Sequence, residues 1–169
     1  MEEKEKKGLK IIKEVIPYVI VIVLVLLFKK FVFAPIKVNG ESMMNTLKDG
    51  DIMILNIIDY KMHGLKRFDI VVVDEGEELI IKRVIGLPGE EVEYRDNQLY
   101  INGKKVKDKY ASQETEDFSE VVPKGEYFVL GDNRTNSLDS RVFGTFSSKK
   151  IKGKTSMIVF PFSRWGNKE

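Results

Sequence analysis

One serine and one lysine frame the chemistry open to this chain. Ser42 stands in Gly40-Glu41-Ser42-Met43-Met44-Asn45-Thr46-Leu47, and Lys82 opens Lys82-Arg83-Val84-Ile85-Gly86-Leu87-Pro88-Gly89. A third stretch, Gly131-Asp132-Asn133-Arg134-Thr135-Asn136-Ser137-Leu138-Asp139-Ser140-Arg141, adds hydroxyls and a charge pair that could hold the first two groups. A serine hydroxyl is a weak nucleophile until a neighbour takes its proton. The chain has no cysteine and one histidine, His63, so thiol chemistry is excluded and a histidine base has a single candidate. His63 sits in the polar run Lys61-Met62-His63-Gly64 and reads as a surface turn residue. A lysine accepts a proton only when neutral, which near pH 7 requires its pKa to fall by about two units, roughly 3 kcal/mol. Burial among apolar groups supplies such a shift. Read as a strand, Leu79-Ile80-Ile81-Lys82-Arg83-Val84-Ile85 puts Ile80 and Val84 on the face of Lys82 and sends Arg83 to the other face, where it could pair with Asp139. The residue types therefore point to a serine hydrolase driven by lysine. Each residue also has a plainer role: Ser42 as a helix N-cap, Lys82 as a snorkelling surface side chain, Asp139 and Arg141 as a solvated pair.

These groups need a scaffold, and the amino terminus first says where it stands. Val15 to Phe28 carries no charge, and Lys4, Lys6, Lys7, Lys10 and Lys13 precede it. Lys29 and Lys30 can snorkel and extend the apolar run toward the roughly twenty residues a spanning helix needs. Residues 1–14 read as a cytoplasmic tail, 15–35 as a single-pass transmembrane anchor, and 36–169 as an extracytoplasmic domain. The alternative is a cleaved leader ending at Val32-Phe33-Ala34. Pro35, directly after that site, argues for an anchor that stays.

Beyond the anchor the pattern turns strand-like. Asp51 to Ile58, Asp69 to Val73, Leu79 to Ile85, Glu126 to Leu130 and Gly153 to Phe160 are apolar or β-branched runs bounded by turn residues. Glu91 to Tyr94, Gln98 to Ile101 and Lys104 to Val106 read as a meander, with Asp96-Asn97 and Asn102-Gly103 as its turns. Tyr110 to Glu120 reads as a polar loop, so that 90–125 forms a small lobe. Ser42 to Leu47 is the single helical candidate outside the anchor. The fold class is mainly β: an antiparallel barrel or orthogonal sandwich preceded by one transmembrane helix. The 169 residues are 43% hydrophobic and 32% charged, with a formal charge of +2 and no basic stripe, so a nucleic-acid partner is not expected. The lack of cysteine excludes a disulfide framework and thiolate zinc sites, and no metal or cofactor is called for.

Taken together, the three stretches resemble the type I signal peptidases. Ser42 to Leu47 is similar to the family's Ser-Met-x-Pro-Thr-Leu, with Asn45 in place of proline. Gly50-Asp51 follows as in the family, and Arg67-Phe68-Asp69-Ile70-Val71-Val72 matches Arg-Gly-Asp-Ile-Val-Val with Phe68 in place of glycine. Lys82 to Gly89 and Gly131 to Arg141 match their motifs throughout, and the resemblance covers nearly the whole chain. It implies Ser42 as nucleophile, Lys82 as general base, and Ser137 as the hydroxyl that orients the lysine amine. It implies an ion-pair network of Arg83, Asp139 and Arg141 beneath the site. Val38, Met43, Leu47 and Ile81 would line the substrate pockets, and Gly40 falls where some relatives carry a serine that helps hold the oxyanion. The implied reaction is removal of signal peptides from exported preproteins after small residues (Ala-x-Ala), at the plasma membrane and without a cofactor. The implied partners are secretory preproteins and the lipid bilayer. Two rivals are a self-cleaving repressor-type Ser-Lys protease and a silent membrane-tethered binding module on the same scaffold.

Overall fold

A computed structural model describes residues 13–25, 33–44, 46–112 and 114–168. Residues 13–25 form a helix, α1. Its apolar side chains, among them Val15, Ile16, Ile20, Ile22 and Leu24, are about half exposed, and none of them joins a core cluster. Among the described residues, no helix is long and apolar enough to cross a membrane. The rest of the expected anchor, 26–32, lies outside the described residues.

The remainder is mainly β. Strands β1 (Phe33–Lys37), β2 (Ile52–Asn56), β3 (Ile70–Asp74), β4 (Leu79–Gly86), β9 (Glu126–Leu130), β10 (Phe146–Ser147), β11 (Ile151–Phe160) and β12 (Gly166–Asn167) build one antiparallel sheet. Its path is β1-β2-β11-β3-β4-β9-β10, with β12 paired to β11. A second sheet runs β7-β6-β5-β8, from β5 (Glu91–Arg95), β6 (Gln98–Ile101), β7 (Lys104–Val106) and β8 (Phe118–Val121). Among the described residues the large sheet runs from β1 to β10 without returning on itself, so the fold is a curled open sheet rather than a closed barrel. The β3–β4 hairpin falls where the sequence puts it, with Val71 opposite Lys82 and Ile70 opposite Arg83.

Three local readings change. Asp51 to Ile58 is not one strand: β2 stops at Asn56, whose side chain accepts from the Asp59 amide and caps α2 (Ile57–His63). The apolar Ile57-Ile58 continues the strand pattern, and only the cap breaks it. Residues 42–44 and 46 form turns, not a helix, and Asn45 lies outside the described residues. Within Tyr110 to Glu120, Phe118 to Glu120 pair with Tyr94 to Val92 as part of β8. Phe118 also packs near the rings of Tyr94 and Phe128, which supplies the apolar contact its polar neighbours conceal.

The core has three clusters. Val38, Met43, Leu47, Met53, Val72 and Ile81 fill one face of the large sheet, and Val71, Val73, Val84, Val129, Phe146 and Ile151 fill the other. Ile85, Val92, Tyr94, Leu99, Phe128 and Leu130 join the two sheets.

Candidate active site

Strand β4 sets the site. Its two edges are treated differently along its length. One edge pairs with β3 from Leu79 to Arg83, whereas β9 pairs only with Arg83, Val84 and Gly86. The β9-side edge of Leu79 to Lys82 is therefore open, and it borders a cleft. Lys37, Val38, Gly40, Glu41, Ser42 and Met43 line that cleft from one side. Glu78 and β4 residues Leu79 to Lys82 line it next, with Asn136 and Leu138 of the third stretch and Phe143 just beyond that stretch.

Lys82 lies on the Ile80 and Val84 face, as the strand alternation predicts. Its residue is only 4% exposed, and its Nζ stands 2.7 Å from Ser42 Oγ. Burial lowers its pKa from 10.5 to about 8, against the opposing pull of Asp139, Glu78 and Asp132. That bias toward the neutral amine is on the order of 3 kcal/mol. Ser42 itself sits in a turn closed by Met44 N–H to the Glu41 carbonyl. The turn is pinned to the third stretch by Asn133, whose amide donates to the Ser42 carbonyl at 3.0 Å and whose side chain donates to the Glu41 carbonyl at 3.2 Å. The Ser42 amide makes no hydrogen bond among the described residues.

Arg83 behaves differently from its neighbour. Its guanidinium is fully buried and grips Asp132 through two bonds, Nε to Oδ1 at 2.8 Å and Nη2 to Oδ2 at 2.7 Å. A third donor reaches the Phe68 carbonyl at 2.7 Å, and the group lies 3.6 Å over the Tyr110 ring. Thr46 also donates to Asp132. Among the described residues the expected Arg83–Asp139 pair is not formed. Asp139 instead caps α3 (Ser140–Phe143), pairs with Arg141 at 2.9 Å and accepts from the Gly131 amide at 3.0 Å. The network is thus two separate carboxylate–arginine units, because the loop carries two acids and the nearer one, Asp132, satisfies Arg83. Asp132, Asn133 and Thr46 had no assigned role in the sequence. The signal for Asp132 was its place beside Gly131 in an otherwise matched motif.

Ser137 departs from expectation as well. Its Oγ is buried but has no hydrogen-bond partner among the described residues, so the predicted bond to Lys82 is not made. It packs against Gly131, where a Cβ would overlap Ser137 Oγ and lie 2.5 Å from the Ser42 carbonyl oxygen. Only glycine at 131 leaves room for both serines. Val38, Gly40, Met43 and Ile81 line the cleft. Leu47 does not: it is fully buried, in the same core cluster as Met43. Ile81 reaches the cleft although alternation turns it away from Lys82, because an unpaired edge is open to both faces. His63 is on the surface, hydrogen-bonded to Asp59 one helical turn back. Phe68, which stands where the resembled family has glycine, takes φ +74°, a left-handed conformation that strains a bulky residue. Its ring packs near Tyr110 at 5.3 Å, which helps hold the backbone there.

Comparison with known proteins places this geometry. The family described as "Signal peptidase, peptidase S26" matches residues 10–160. The chain is 41% identical to "Signal peptidase I" of Bacillus amyloliquefaciens, over 96% of this chain and 95% of that protein. It is 43% identical to "Signal peptidase I S" of Bacillus subtilis (strain 168), with 86% of each chain covered. A crystal structure of a signal peptidase I from Enterococcus faecalis V583 is similar at a TM-score of 0.50 and 40% identity, covering 53% of this chain and 95% of that one. With the family matched across most of its length, the chain belongs to the signal peptidases of the peptidase S26 family.

Proposed function

We propose that this chain is a membrane-anchored serine endopeptidase that removes signal peptides from exported preproteins after small residues, with Ser42 as nucleophile and Lys82 as general base. The observation that carries this reading is the 2.7 Å approach of a buried lysine amine to the Ser42 hydroxyl. Neutral Lys82 takes the Ser42 proton as Oγ attacks the scissile carbonyl carbon, giving a tetrahedral intermediate and an ammonium. The Ser42 amide, which makes no hydrogen bond among the described residues, would donate to the new oxyanion. Lys82 then returns its proton to the departing amine, which leaves an acyl ester on Ser42. A water then gives a proton to Lys82 as its oxygen attacks the ester carbonyl, and Lys82 passes that proton to Ser42 Oγ as it leaves, which frees the acid and restores both the serine hydroxyl and the neutral amine.

Substrate in this reading lies as an extended strand along the open edge of Leu79 to Lys82. Alternate side chains then point the same way, toward the apolar walls of Val38, Met43 and Ile81, which in this reading would favour small ones. Ser137 would serve as a positioning hydroxyl, reaching the amine after a rotamer change. The exposed apolar residues of α1 support an anchor over 15–35 with a cytoplasmic amino terminus. Tethering there would raise the local concentration of membrane-borne substrate without any new contact.

The test is cleavage of a signal-peptide substrate by the full-length protein in vesicles. Ser42→Ala should abolish it while the circular dichroism spectrum stays unchanged. Cleavage that survives in a folded Ser42→Ala protein would sink the assignment.

A further inference from the structure

The open edge of β4 ends at Lys82, and this decides where the two halves of a bound substrate go. At Arg83 the position beside β4 is already filled by Leu130 of β9. A strand lying along Leu79 to Lys82 therefore cannot continue in the sheet beyond the scissile bond. It must rise out of the plane, past the Lys82 face.

What stands there is α3 and the loop before it. Ser140 Oγ accepts from the Val129 amide at 2.9 Å, and Val129 pairs with Val84, two residues past Lys82. This pins α3 one strand beyond β4, just downstream of the lysine. Leu138 and Phe143 face the same cleft as Ser42 and Lys82, and they are 64% and 40% exposed. The segment carrying them is firmly held. Asp139 caps it, the Phe143 and Gly144 amides close it onto the Asp139 and Ser140 carbonyls, and the Phe143 ring leans edge-on against Phe146 at 6.2 Å. Two large apolar side chains are thus displayed in water, on a fixed turn, beside the proposed nucleophile.

From this geometry we infer that Leu138 and Phe143 form an apolar shelf for the first two residues after the cut, so that the enzyme selects among the new amino termini it creates. The inference rests on the proposed Ser42–Lys82 reading and deepens it. The residues before the cut lie on the β4 edge, and the small-walled pocket reads them. The residues after the cut lie on the shelf, where an apolar side chain covers Leu138 and Phe143 and a small polar one leaves them wet.

The test uses the full chain in vesicles and two peptides that are identical up to the cut. One continues Leu-Leu and the other Ser-Ser. The readout is the ratio of their kcat/KM values, which a general loss of activity or folding does not move. The shelf predicts a preference of roughly tenfold for Leu-Leu. That preference should shrink in Leu138→Ser and in Phe143→Ser, approach one in the double variant, and survive in Leu138→Met. A ratio near one in the unaltered protein, or a ratio unchanged in the double variant, overturns the shelf while leaving Ser42-dependent cleavage intact. Cleavage that persists in Ser42→Ala overturns the site and the shelf together.

Discussion

Lys82 and Arg83 are neighbours on one strand, both buried and both nominally cationic, yet the fold treats them in opposite ways. Arg83 receives a bidentate carboxylate, a backbone carbonyl and an aromatic ring. Its charge is fully matched and stays. Among the described residues Lys82 receives one hydroxyl and no carboxylate within ion-pairing distance, and burial drives its pKa down to about 8. Arginine cannot be deprotonated in this setting, so the same burial without a partner would be intolerable for it. Lysine can shed its proton, and in the proposed Ser-Lys reading burial without an ion-pair partner is what makes it a base. Strand alternation makes the difference possible: a one-residue step moves the second cation to another face, where Asp132 waits.

Replacing each cation in turn should separate the two roles. Lys82→Met should reduce signal-peptide cleavage by roughly a thousandfold or more, the scale of losing a general base. Its stability to urea should hold or rise, because a desolvated amine is exchanged for an apolar chain of similar length. A clear loss of stability would mean that Lys82 is structural. On the Arg83 side, Asp132→Ala leaves a buried, unpaired guanidinium and should cost about 3–5 kcal/mol in urea unfolding. A change of less than about 1 kcal/mol would show that the pair is not what holds the loop.

Titration sharpens the same contrast. In the Ser-Lys reading kcat/KM rises with pH, roughly tenfold per unit below the lysine pKa, and levels off above about pH 8. Glu78 raises that pKa, so Glu78→Gln should move the acid limb to lower pH; a limb that does not move would place the titrating group elsewhere. The same shift bears on stability. Between about pH 8 and 10.5 the unfolded chain holds a proton on Lys82 that the folded chain has lost. Stability therefore rises with pH across that window, and the penalty for burying the ammonium is fully present only below it. The gap between Lys82→Met and the unaltered protein should narrow accordingly when measured by urea melts at pH 7 and pH 10.

The smallest effect is expected at Phe68. Phe68→Gly relieves a left-handed φ but gives up the ring packing near Tyr110, and the two terms nearly cancel. Unfolding free energy should change by about 1 kcal/mol or less, with cleavage retained. A large loss of cleavage would tie the Phe68 carbonyl, and through it Arg83, to the working of the site.

Local sequence pattern was enough to read the β character, the β3–β4 hairpin, the meander and the face on which Lys82 lies. These follow from period-2 patterning and turn residues, which are local properties of the chain. It also singled out Ser42 and Lys82, because only a few side chains can act as nucleophile or base and cysteine is missing. It misread α2, where an Asn cap overrides an apolar run, and β8, whose apolar partners lie on other strands. It put Leu47 in a pocket and paired Arg83 with Asp139, since spacing cannot say which of two nearby acids an arginine reaches. Only the folded arrangement settled that Asp132 takes Arg83, that Lys82 meets no carboxylate within ion-pairing distance among the described residues, that Gly131 makes room for two serines, and that β9 closes the β4 edge one residue past the lysine. Those outcomes depend on three-dimensional distances among segments forty to ninety residues apart, and a residue's neighbours along the chain carry no record of them.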